Sequence, residues 1–213
     1  MKKLCSKKDL WIFLAFSFAS LLSLIAHFIA TACGVNTGVN PLEYIIVFIL
    51  IWLPMPVYLI LKFNAPIWVN ISYQIFIVLS YTFSSVWGGY VAIPNFDLVV
   101  HAISGALISV YTYTLFVQKT KNIIISPIWV FVLIFTVGVA CGAIWEIGEF
   151  IKDGFGFNSQ LHSALDGTPY IGRKALENTM LDLIADTIGA LTISIICSIF
   201  YNKHYVKANK TEN

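Results

Sequence analysis

The sequence predicts an all-α protein, a polytopic transmembrane helical bundle of about six spans with both termini in the cytoplasm. Three observations predict it. Of the 213 residues, 58% are hydrophobic and 11% charged, where an ordinary soluble domain is about 25% charged. Mean hydropathy is +0.81. Six apolar runs are each long enough to cross a hydrocarbon core, which takes about 20 helical residues. The runs are continuous rather than alternating, which points to helices and not to barrel strands. Residues 1–213 read as a single membrane domain.

The first span, 10–32, follows Lys2 and Lys3 and ends on Ala30-Thr31-Ala32, the outline of a cleaved signal peptide. Its apolar run outlasts the about 7–15 residues of a signal core, so it reads as a retained span. The second, 42–62, contains Pro54 and Pro56, and a kink is expected because proline removes a backbone donor. The third, 66–87, is the weakest: Pro66 opens it, and Asn64, Asn70 and Gln74 dilute it. The fourth is 97–117, the fifth 127–151 and the sixth 180–201. The longest connection is the loop 152–179.

Orientation follows from Lys and Arg. With six spans, Lys2, Lys3, Lys7, Lys8, Lys62, Lys119, Lys121, Lys203, Lys207 and Lys210 share one side, against Lys152, Arg173 and Lys174 on the other. The first side is therefore expected to be cytoplasmic, the loop 152–179 outside, and the localisation a cell membrane. Trp11, Trp52, Trp68, Trp87 and Trp129 read as interfacial anchors. The net charge of +2 is too small to argue for nucleic acid. Cys5, Cys33, Cys141 and Cys197 show no CxxC spacing and read as small apolar residues. Oligomeric state is not legible.

That topology brings acids to one depth. Asp97 opens span four outside, Glu146 and Glu149 close span five outside, and Asp182 and Asp186 open span six outside. A carboxylate at the bilayer centre costs on the order of 2.5–3.5 kcal/mol, so intramembrane acids are a functional hypothesis by default. The pairs Asp97/His101, Glu146/Glu149 and Asp182/Asp186 are three or four residues apart, which puts each pair on one helix face. Asn178 extends the last stripe if its helix begins that early. Di-iron bundles build metal centres from inward carboxylates and histidines in this manner. Several carboxylates cannot stay ionised together without compensation, so either some are protonated or a divalent ion is held. Oxygen donors with one imidazole suit Mg, Mn, Zn or Fe.

The candidate catalytic residues are thus Asp97, His101, Glu146, Glu149, Asp182 and Asp186, with His101, Glu146, Glu149, Asp182 and Asp186 as metal ligands. Arg173 is expected to clamp an anionic head group, and Trp145 and Asn178 to line the substrate side. Each residue also has a plainer reading. His101 could be a hydrogen-bonded core histidine, Glu146 and Glu149 interfacial charges, and Asp182 a helix N-terminal acid favoured by the dipole. Asp153, Asp166 and Glu177 read as solvated loop residues, and His27, His162 and His204 as structural or exposed. Gly105, Gly138, Gly142, Ala185 and Gly189 form small-xxx-small patterns, which signal helix packing.

The segments FDLVVHAISGAL, AIWEIGEF and ENTMLDLIADTIGAL resemble the YjdF-like family of uncharacterised bacterial inner-membrane proteins over roughly 90–195. A looser similarity runs to VanZ-like proteins, which are associated with glycopeptide resistance and tend to carry Asn where Asp186 stands here. Neither resemblance implies a settled activity. The expected function is a membrane protein with an acidic, divalent-metal-binding pocket at the outer leaflet. It would act as a metal-dependent hydrolase or transferase on a membrane lipid or a lipid-linked envelope substrate. The competing readings are a non-catalytic envelope factor and a cation- or proton-coupled transporter.

Overall fold

The structure, a computed structural model, describes residues 7–34, 42–63, 65–120, 125–155 and 170–211. Lys2, Lys3, Cys5, Asn64, Lys121, His162 and Asp166 lie outside these residues, as do the side chains of Lys7, His204, Lys207 and Lys210. Among the described residues every element is helical: α1 (Lys7–Ala32), α2 (Leu42–Trp52), α3 (Pro54–Leu61), α4 (Ile67–Ile77, continuing as a π-helix over Val78–Val86), α5 (Gly89–Ala92), α6 (Phe96–Lys119), α7 (Pro127–Asp153) and α8 (Arg173–Thr211). Six stretches of the described residues are long and apolar enough to cross a membrane: Lys8–Ala32, Tyr44–Leu61, Ile67–Ser84, Phe96–Lys119, Pro127–Asp153 and Arg173–Lys203. The chain divides into two compact units, Met1–Phe96 and Asp97–Asn213.

In the first unit the predicted kink is present. α2 stops at Trp52 and α3 starts at Pro54, because a proline nitrogen cannot donate to the preceding turn. Carbonyls at the end of α2 are left short of their usual partners, and α4 supplies side-chain donors. The Tyr73 hydroxyl donates to Leu50 O at 2.9 Å, and Gln74 Nε2 to Ile51 O at 3.0 Å. One turn away, Asn70 Nδ2 donates to Asp9 Oδ1 at 3.2 Å. Asn70 and Gln74, which dilute the third span in sequence, are both fully buried. They form its inward face rather than a defect. Val47 and Ile51 of α2 pack on Ile77 and Tyr81 beside them.

Trp11, Trp68 and Trp129 are exposed, as interfacial anchors should be. Trp87 is exposed too, and both it and Trp52 donate to serines of α1: Trp52 Nε1 to Ser17 Oγ at 2.9 Å and Trp87 Nε1 to Ser23 Oγ at 2.8 Å. His27 is buried beside the Tyr44 ring, 5.8 Å between centroids, in keeping with a structural role. Replacing Gln74 with leucine strands the Ile51 carbonyl in an apolar interior and is expected to cost about 1–3 kcal/mol. Thermal unfolding in nanodiscs checks it; an unchanged midpoint would mean that the carbonyl finds another donor.

In the second unit, α6, α7 and α8 approach through their small residues. A Cβ on Gly105 would fall on the Asp186 carbonyl, and one on Gly189 on the Ala102 carbonyl. A Cβ on Gly138 would stand 2.7 Å from both Ala190 Cβ and Ser109 Oγ. The plain reading of these residues, close helix packing, therefore holds. Away from the acids the unit closes on Phe116, Val130, Ile134 and Cys197, an apolar cluster with almost no exposure. Cys33, Cys141 and Cys197 are free thiols.

The last helix departs from expectation. It begins at Arg173, not at 180, and only the ends of the 152–179 connection are among the described residues. Gly172, at φ +61°, precedes it. A hydropathy run ends where apolar side chains end, but backbone hydrogen bonding continues through the polar turn Arg173–Glu177, where Arg173 Nε meets Glu177 Oε1 at 2.8 Å. Such i,i+4 pairs support a helix end. Arg173, Lys174 and Glu177 are therefore exposed helical residues rather than loop residues.

Candidate metal centre

The site is built from the first turns of α6, the last turns of α7 and the third and fourth turns of α8. Asp97 lies in the first turn of α6, where the helix dipole favours an anion. His101, one turn deeper on the same face, is buried. Glu146 lies two turns from the end of α7, on the stripe Gly138, Gly142, Glu146. Asp182 and Asp186 are each 1% exposed, one turn apart on α8. The early start of α8 adds Asn178 to that stripe, and its Nδ2 donates to Asp182 Oδ2 at 2.7 Å.

His101 is the hub. Its Nδ1 stands 3.0 Å from Asp186 Oδ2. Its Nε2 stands 3.7 Å from Asp97 Oδ1 and 3.7 Å from Glu146 Oε1. The first separation is a hydrogen bond; the other two are too long for one. Ligand atoms held about 2.0–2.2 Å from one ion lie about 3–3.5 Å from each other. Each 3.7 Å gap thus exceeds such a spacing by only a few tenths of an ångström, while Asp97 and Glu146 share no ligand set with each other. Two sets of ligand atoms lie within 4.8 Å of one another: Asp97, His101 and Asp182, and His101, Glu146 and Asp186.

Asp182 carries a second indication. Oδ2 is engaged by Asn178, but Oδ1 is buried with no hydrogen-bond partner among the described residues. A buried carboxylate oxygen left in that state is costly unless something positive meets it. The donor set of one imidazole and several carboxylates fits a hard or borderline divalent cation.

The structure thus brings together Asp97, His101, Glu146, Asp182 and Asp186, with Asn178 attached to Asp182. It places other predicted residues apart. Glu149, one turn outward from Glu146, accepts from Trp145 Nε1 at 3.0 Å and belongs to neither ligand set. Arg173 is 86% exposed at its side chain and pairs with Glu177, outside both ligand sets. Two contributors escaped the sequence reading. Ser104 Oγ donates to Asp186 Oδ1, and Gly142 leaves the room that Asp186 occupies, since a Cβ there would stand 2.7 Å from Asp186 Oδ2. The i,i+3 spacing of Ser104 from His101 was the available signal.

A family model described as "Predicted membrane protein (DUF2238)" matches residues 11–203. No curated protein and no solved structure matches the chain.

Proposed function

The chain belongs to the DUF2238 family of predicted membrane proteins, and from that premise we propose that its second unit holds a divalent metal ion on His101 Nε2, Asp97, Glu146 and Asp182. The observation that carries this reading is the position of Nε2, 3.7 Å from carboxylate oxygens of two helices and hydrogen-bonded to neither. Such an ion would polarise an ester or phosphoryl oxygen and activate water. The reading is a metal-dependent hydrolase or transferase acting on a lipid or lipid-linked substrate. Kinship with YjdF-like inner-membrane proteins is part of it; the VanZ-like similarity adds nothing.

Asp97 lies in the first turn of α6 and Glu146 two turns from the end of α7, toward the depth at which lipid head groups sit. The Lys and Arg distribution, ten against three, puts this end of the spans outside and both termini in the cytoplasm. Glu149, one turn outward, and the Trp145 indole that donates to it at 3.0 Å would form the substrate side of the ion.

Two observations weigh against the alternatives. A transport path would continue through the unit, but the column His101, Gly105, Ser109 runs toward the apolar cluster of Phe116, Val130, Ile134 and Cys197. A purely adhesive polar cluster would satisfy its own members, whereas Asp182 Oδ1 has no hydrogen-bond partner among the described residues.

The test is elemental analysis of protein purified without chelator. One equivalent of divalent metal is expected, falling to background in His101→Ala with the helical content intact. Full folding of the wild type with no metal, and no uptake on addition of Zn, Mn, Fe or Mg, would overturn the proposal.

A further inference from the structure

Asp186 differs from Asp182 in that both of its oxygens are engaged. Oδ2 meets His101 Nδ1 at 3.0 Å. Oδ1 takes the Ser104 hydroxyl, which also lies 2.9 Å from the His101 carbonyl. Asp186 is 1% exposed, and its backbone is pinned as well, since α6 touches its carbonyl at Gly105. Gly142 bounds it from α7, where a Cβ would stand 2.7 Å from Oδ2. A carboxylate fixed on three sides is badly placed to rotate toward an ion, although distance alone admits it to a ligand set.

We infer that Asp186 and Ser104 are positioning residues that fix the tautomer and ring orientation of His101, and that Asp186 is not itself a ligand. The inference rests on the metal-centre reading above. A neutral imidazole carries one proton. On Nε2 that proton would find its facing carboxylate oxygens at 3.7 Å, beyond hydrogen-bonding reach. On Nδ1 it is donated to Asp186 at 3.0 Å. The Nδ1–H form wastes no donor and turns the Nε2 lone pair toward Asp97 and Glu146. Metal-binding histidines are oriented in this way by a carboxylate on the far nitrogen, and such partners are worth about 10–100-fold in metal affinity. Ser104 extends the arrangement one bond further by holding the carboxylate that holds the ring.

Nitrogen-15 NMR of histidine-labelled, metal-free protein in nanodiscs tests it, read at a pH alkaline enough that the imidazole is neutral, with the His101 signals assigned by comparison with His101→Gln. The wild type is expected to show His101 protonated at Nδ1 and bare at Nε2. In Asp186→Asn the amide can donate to Nδ1, so the ring is expected to move toward the Nε2–H form, and Zn or Mn affinity to fall about 10–100-fold. Ser104→Ala is expected to weaken affinity about 10-fold, with Ser104→Thr restoring it. This pair is the second arm should Asp186→Asn fail to fold. An Nε2–H tautomer in the wild type, or Asp186→Asn and Ser104→Ala proteins with unchanged affinity, would overturn the inference. Failure of the metal reading looks different: the wild type would show the Nδ1–H tautomer and bind no metal.

Discussion

Gly189→Val is expected to be the most damaging single change in the second unit. A Cβ at 189 lands on the Ala102 carbonyl of α6, with Ala106 N at 3.0 Å. The obstacle is helix backbone, which cannot rotate aside as a side chain can, so α8 must move off α6. Overpacking of an interior commonly costs about 1–3 kcal/mol and sometimes more; with two extra methyls against backbone, the expected loss is above about 3 kcal/mol. Displacing α8 also carries Asp186 and Asp182 away from His101, so metal uptake should fall together with the thermal midpoint. Gly148→Ala is the control. A Cβ there meets nothing within 4 Å, and alanine gains about 0.8–1.0 kcal/mol of helix propensity over glycine. Equal behaviour of the two variants would show that α6 and α8 do not meet at Gly189.

Asp182→Asn is expected to separate stability from function. Asp97, Glu146, Asp182 and Asp186 face one imidazole, so without an ion the carboxylates repel one another or must take up protons. Replacing the carboxylate whose Oδ1 has no hydrogen-bond partner among the described residues with a neutral amide removes part of that repulsion. It is expected to stabilise the metal-free protein by on the order of 1–3 kcal/mol, or about 2–4 °C per kcal/mol for a chain of this length. The same change removes a proposed ligand and should abolish stabilisation by added metal, since an ion stabilises only in proportion to its binding to the folded state. An adhesive cluster would behave in the opposite way, losing stability at Asp182 regardless of metal.

Much of the fold was legible because the physics of a membrane span is simple. Twenty apolar residues and a proline pair are enough to place the spans and the break at Leu53. The beginning of α8 was not legible, because Arg173–Glu177 is polar and helical at once, and hydropathy sees only the first property. Asn70 and Gln74 looked like weaknesses because sequence does not say which carbonyls a kink leaves short of donors. In the site, i,i+4 spacing put Asp97 on one face with His101 and Asp182 with Asp186, while the i,i+3 spacing of Glu149 from Glu146 did not bring Glu149 into either ligand set. Spacing cannot say which histidine nitrogen meets which oxygen, and that distinction separates Asp186 from Asp97 and Glu146. Nor could it foresee that Arg173, on a long exposed side chain, turns to Glu177 in its own helix.

The most direct measurement of the central claim is a set of four melting curves in nanodiscs: wild type and Asp182→Asn, each stripped of metal and then reloaded with Zn or Mn. A metal centre predicts that the stripped variant melts above the stripped wild type, and that reloading raises the wild type alone. A variant that melts lower than the wild type in both states, with neither protein responding to metal, would contradict it.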